Sequence, residues 1–215
     1  MKNVMKKIEP IFCIVYLLFA YYAGIKFLIK GYYLFASLTL VLAIGDSFHL
    51  FPRIEKSLYG EKKGIEKRLL IGNKITSITM TFFYVILYYV WKSIFKQEIE
   101  VSIVYEIVLF LSALIRIIVC LAPYSYWEKN TDNIKFSMWR NIPFIFTGAV
   151  VAILFFKSGN TFNLGLYKMG VAIIVSFICY LPVALFSHKN KKLGMLMIPK
   201  TIMYMWMIYM ILRLV

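Results

Sequence analysis

The chain has 215 residues, 61% of them apolar and only 16% charged, with a mean hydropathy of +0.76. A water-soluble domain of this length fills its core with far less apolar surface, so the composition excludes one and points to a polytopic membrane protein. The net charge of +15 sits mostly in short segments between apolar runs, a pattern that sets membrane topology and is not a nucleic-acid footprint.

A spanning helix needs roughly 20 apolar residues. Such runs fall at about 10–29, 32–51, 69–91, 101–122, 137–156, 165–187 and 194–213. They predict an all-α transmembrane helix bundle of about seven spans, a single domain over 1–215. The first run opens "MKNVMKKIEPIFCIVYLLFAYYAG", which has the charged and apolar regions of a signal peptide. Its apolar stretch continues past "AYYAG", so a retained first helix is expected. Cys13, Cys120 and Cys179 lie inside apolar runs and read as small buried hydrophobes, not as disulfides or metal ligands.

The second run ends "LAIGDSFHLFPR". Asp46 and His49 are i, i+3, and His49 and Arg53 are i, i+4, so on a helix they form one polar column. Ser47 points to another face. Pro52 is expected to end or loosen the helix as it leaves the membrane. The following "PRIEKSLYGEKKGIEKRL" reads as a short amphipathic surface helix or a loop.

The third run opens "IGNKITSITM", with Asn73 and Lys74 in its first turns. The fourth carries Glu106 near its start, expected to reach headgroups or water, and Arg116 near its end. Arg140 and Asn141 open the fifth. The seventh opens "MIPKTIMYMW", with Lys200; its many methionines read as flexible packing. The openings of the third and seventh runs are similar, which allows two triple-helix repeats around a linker helix. Loop charge gives the orientation. With a cytoplasmic N-terminus, 15 basic residues lie in cytoplasmic segments against 7 outside, which favours that topology, with the plasma membrane as the expected site.

Charged groups inside bilayer helices call for a partner or a cavity. Asp46, Lys74, Arg116 and Lys200 each lie about five or six residues from a cytoplasmic helix end, roughly 8–10 Å deep at the helical rise. Arg53, Asn73, Arg140 and Asn141 fall near the same level. One carboxylate does not balance that many cations, so a wet, electropositive pocket at the cytoplasmic leaflet is expected, with a lipid headgroup or another small anion as its guest. Lys74, Arg116, Lys200, Arg53, Asn73, Arg140 and Asn141 are the candidate binding residues; Asp46 and His49 are the candidate catalytic pair. A second reading is structural: Lys74 and Lys200 snorkel to the headgroups and Arg116 clasps Asp46. No cofactor or metal is expected. His49 and His188 have no acidic cluster beside them, and the surrounding lysines and arginines oppose a cation.

At "LVLAIGDSFHL" the chain resembles the lysoplasmalogenase-like YhhN family of small polytopic membrane proteins. Gly45 and Asp46 match that family's Gly-Asp pair late in an early helix, and "TFFYVILYYVW" is similar to its following aromatic-rich helix. The resemblance implies a hydrolase that cleaves the vinyl-ether bond of lysoplasmalogens, with Asp46 in acid–base chemistry. The family's second Ser-Asp pair has no counterpart here, where "IPKT" stands. The leading expectation is a membrane hydrolase acting on a phosphate-bearing (lyso)lipid. A carrier for a small anion or phosphorylated metabolite, or a non-catalytic membrane subunit, are the alternatives.

Overall fold

The computed structural model describes residues 2–96, 98–123, 126–127, 134–159, 161–186 and 190–215. Among them there is no strand, and seven helices are long and apolar enough to cross a membrane. These are α1 (Lys2–Ile29), α2 (Tyr33–Tyr59), α3 (Ile65–Phe95), α4 (Ile103–Cys120), α5 (Ile134–Lys157), α6 (Tyr167–Phe186) and α7 (Met197–Leu212). Each covers one predicted run. The class this fold defines is a multi-pass, all-α membrane protein.

Two expectations fail around Pro52. Helix α2 does not end there but runs on to Tyr59 with Pro52 buried inside it. Proline lacks the N–H that would bond the Phe48 carbonyl, but its fixed φ is helical. The region is also clamped from α3: a Cβ on Gly72 would collide with the Phe48 carbonyl and the His49 Cα. A neighbouring helix that approaches this closely keeps a proline-containing helix in register. The expected surface helix is likewise absent. Its residues extend α2 and begin α3, leaving a tight connection between Gly60 (φ 78°) and Gly64 (φ 89°), positive angles that glycine adopts freely. Lys56–Glu61 at 3.0 Å and Arg68–Glu55 bridge across it. At that exposure they contribute little.

The chain forms two compact units, Met1–Phe83 and Tyr84–Val215, so the division falls inside α3. In the first unit α1 and α2 make an antiparallel hairpin through a turn at Gly31 (φ 80°). Small residues bring them together: Ala20, Ala23, Ala36 and Ala43 are fully buried, as expected where lipid offers no hydrophobic drive between helices and close packing must supply it. Phe27 meets Phe35 edge-on beside the turn. Helix α3 packs on α2 through Gly45, where a Cβ would strike Thr79, and through the Thr76 hydroxyl, which donates to the Gly45 carbonyl at 2.9 Å.

In the second unit α4, α5, α6 and α7 pack in sequence order. Ser112 and Thr147 share a hydrogen bond at 2.8 Å between α4 and α5. Gly148 accommodates the Phe177 ring, and Gly170 lies against Phe156 and the Ala152 carbonyl, which sets the α5–α6 approach. Trp91, from the end of α3, donates to Ser158 at 3.2 Å. Pro143 and Pro182 lie inside continuous helices, so neither breaks its span.

Candidate functional site

Of the predicted site residues, Asp46, His49, Arg53, Asn73 and Lys74 belong to the first unit, and Arg116, Arg140, Asn141 and Lys200 to the second. In the first unit the Asp46–His49–Arg53 column exists on α2, with all three side chains half-buried. Its partners come from α1. The Tyr16 hydroxyl donates to Asp46 Oδ2 at 2.6 Å, and Arg53 Nε donates to Glu9. Glu9 was absent from the charge sum, and it answers the Arg53 cation. Tyr16 and Glu9 are seven residues apart, two turns, as are Asp46 and Arg53, so an antiparallel pair of helices matches both contacts at once. Ser47 is buried on a neighbouring face. It donates to the Ala43 carbonyl at 2.7 Å and shares a hydrogen bond with Tyr21 at 3.0 Å. Asn73 and Lys74 lie half-buried on α3, and the Asn73 carbonyl accepts from the Ser77 hydroxyl at 2.7 Å.

The second unit gathers its cations on an aromatic wall. Arg116 is 1% exposed, with its guanidinium carbon 3.2 Å from the centroid of Phe144. Its Nε and Nη1 are buried without a hydrogen-bond partner. Lys200 is 9% exposed, its Nζ 5.0 Å from the Tyr180 ring centroid and 5.1 Å from that of Tyr204. It is enclosed by rings and does not reach out to headgroups, so the snorkelling reading fails for this lysine. Phe144 joins the two cations. Its ring centroid is 5.9 Å from Tyr180, 5.2 Å from Tyr84 and 4.8 Å from Phe177.

A polar chain runs alongside. Tyr180 donates to Asn141 Oδ1 at 2.8 Å, Asn141 Nδ2 donates to Ser137 at 3.2 Å, and Ser137 donates to the Ala184 carbonyl at 2.7 Å. Asn141 is therefore held with both ends of its amide engaged. The Tyr84 hydroxyl sits 3.4 Å from both Ser176 and Tyr204. Arg140 stacks on Trp127, 4.7 Å from its centroid, and is an electrostatic neighbour of Arg116.

The energetics of Arg116 are unbalanced. A desolvated cation over a ring gains about 2 kcal/mol. Each buried donor left unmade costs about 1–3 kcal/mol, and Arg116 has two. The site thus presents unused donors and positive charge to whatever enters it.

Glu106 is not an isolated acid reaching for water. The Tyr88 hydroxyl and Lys92 Nζ both donate to it, the latter at 2.7 Å. Tyr88 and Lys92 are one turn apart on α3, a spacing that could have revealed the pair. The residues sequence reasoning missed at the Arg116 cluster are Tyr84, Phe144, Ser176, Tyr180 and Tyr204. Only Tyr204 had a signal, lying one turn after Lys200. His188 lies outside the described residues. Among those described, no group of three or more His, Cys, Asp or Glu is placed to hold a metal ion. No protein-family model, curated protein or solved structure matches the chain.

Proposed function

We propose that the chain binds the phosphate of a membrane lipid between its helices, at the Arg116–Lys200 cluster on the side that loop charge assigns to the cytoplasm. The observation that carries this is Arg116: a guanidinium fully enclosed by protein with two N–H donors unmatched. A phosphate oxygen satisfies such a fork better than water or a neutral group. Lys200 adds a point charge, and the rings of Phe144, Tyr180 and Tyr204 keep the surroundings dry, which strengthens both interactions.

Hydrolysis of a phosphate-bearing (lyso)lipid is the activity this reading extends to. Tyr16 hydrogen-bonds one carboxylate oxygen of Asp46, an arrangement suited to orienting or deprotonating water, with His49 one turn away as the proton donor. The resemblance at Gly45–Asp46 supports the same reaction class. Carriage of a small anion is the alternative. It gains nothing from Pro143 and Pro182, since both helices continue through them.

The test is native mass spectrometry of the purified protein and Arg116→Gln, with parallel assay of headgroup, fatty-acid and aldehyde release from lysophospholipids and lysoplasmalogens. Retention of a phospholipid by the parent protein and its loss in Arg116→Gln are expected. Equal retention by both overturns the binding site. Absence of any release, unaltered in Asp46→Asn, overturns the hydrolase.

A further inference from the structure

A separate cavity of about 610 Å³ lies at the other end of the α6–α7 pair. Lys200 and Arg213 stand at opposite ends of α7, about 20 Å apart at the helical rise, so this is not the Arg116 cluster. The wall from α7 is one helical face: Trp206, Tyr209, Met210 and Arg213 follow the i, i+3, i+4, i+7 spacing. The opposite wall is the start of α6, where Gly165 (φ 63°) turns the chain so that Tyr167 and Lys168 follow at once. Lys168 Nζ lies 5.9 Å from the Tyr167 ring centroid. Among the described residues no acidic side chain lines the cavity.

These residue types match one chemistry. Two exposed cations without an acid between them attract an anion. Trp and Tyr rings at the end of spanning helices belong at headgroup level. Leu164 and Met210 supply an apolar floor continuous with the acyl region. We infer that this cavity holds the phosphate of an anionic glycerophospholipid in the leaflet at this end, opposite the N-terminus, with Lys168 and Arg213 on the phosphate and Trp206 against the glycerol. The shared chemistry is a phosphate group; the apolar floor and interfacial rings favour the lipid over free phosphate.

Trp206 supplies the readout. The full chain is reconstituted in phosphatidylcholine nanodiscs, and a phosphatidylglycerol brominated near its glycerol end is titrated in. The Trp206 signal is the difference from Trp206→Phe. Quenching by the anionic lipid at a mole fraction on the order of tenfold lower than by brominated phosphatidylcholine is expected, from the attraction of two basic side chains. Lys168→Gln with Arg213→Gln should abolish that preference. The charge-conserving pair Lys168→Arg and Arg213→Lys should keep it, which separates lost charge from lost folding. Equal quenching by both lipids, or a preference that survives the double glutamine variant, overturns the inference. Full reversal by millimolar inorganic phosphate reassigns the cavity to a free anion and overturns the lipid. Because Arg116→Gln leaves this readout untouched, failure here is distinguishable from failure of the cytoplasmic site.

Discussion

Replacing Arg116 with methionine separates a binding group from a structural one. In the empty protein Arg116 carries two buried donors without partners, at about 1–3 kcal/mol each. The Phe144 ring returns about 2 kcal/mol. Methionine keeps an unbranched stem in the same volume, removes both orphaned donors, and makes a sulfur contact with the ring of up to about 1.5 kcal/mol. The difference runs from near neutral to about 4 kcal/mol in favour of methionine. For a chain of this length about 1 kcal/mol moves the midpoint by about 2–4 °C. Delipidated Arg116→Met should therefore melt at or several degrees above the parent in a fluorescence-detected thermal shift in detergent. Added lysophosphatidic acid should raise the parent's midpoint and leave the variant's unchanged. A variant that melts lower than the parent, with the same lipid-dependent rise, refutes the reasoning: Arg116 would then be satisfied within the protein and have no part in binding.

Tyr16→Phe removes the hydroxyl that hydrogen-bonds Asp46. A loss of about 1.5–3 kcal/mol is expected in unfolding equilibria, with Asp46→Asn non-additive to it in a double-mutant cycle. Gly72→Ala drives a methyl into the Phe48 carbonyl, backbone that cannot rotate away, and should cost about 1–3 kcal/mol. Gly194→Ala, which meets nothing within 4 Å, should leave the melting midpoint unchanged and serves as its control. Glu106→Gln loosens a contact whose charged partners are about one-third exposed; less than about 1 kcal/mol is expected from the same thermal measurement.

The spans were legible because each is a run of apolar residues long enough to cross the bilayer, and hydropathy depends only on neighbours in sequence. The burial of Arg116 and Lys200 was legible for the same reason, since a cation deep in such a run has few places to go. The end of α2 was misread because a rule about one residue, Pro52, gave way to a neighbour at position 72 that no local window contains. The partners of the charges were illegible for a related reason. Any of 16 tyrosines could have met Asp46, and Tyr16 is chosen by how α1 and α2 turn back at Gly31. The aromatic wall around Arg116 likewise joins α3, α4, α5, α6 and α7 through contacts of high sequence separation.

The matched spacing on α1 and α2 works like the two teeth of a key. Glu9 and Tyr16 meet Arg53 and Asp46 simultaneously. Sliding the hairpin by one turn would strand two acids, a guanidinium and a phenol together, in a medium that offers none of them a substitute. An error of alignment is thereby penalised twice over. The first two helices to be made can settle their mutual position before the rest of the chain arrives.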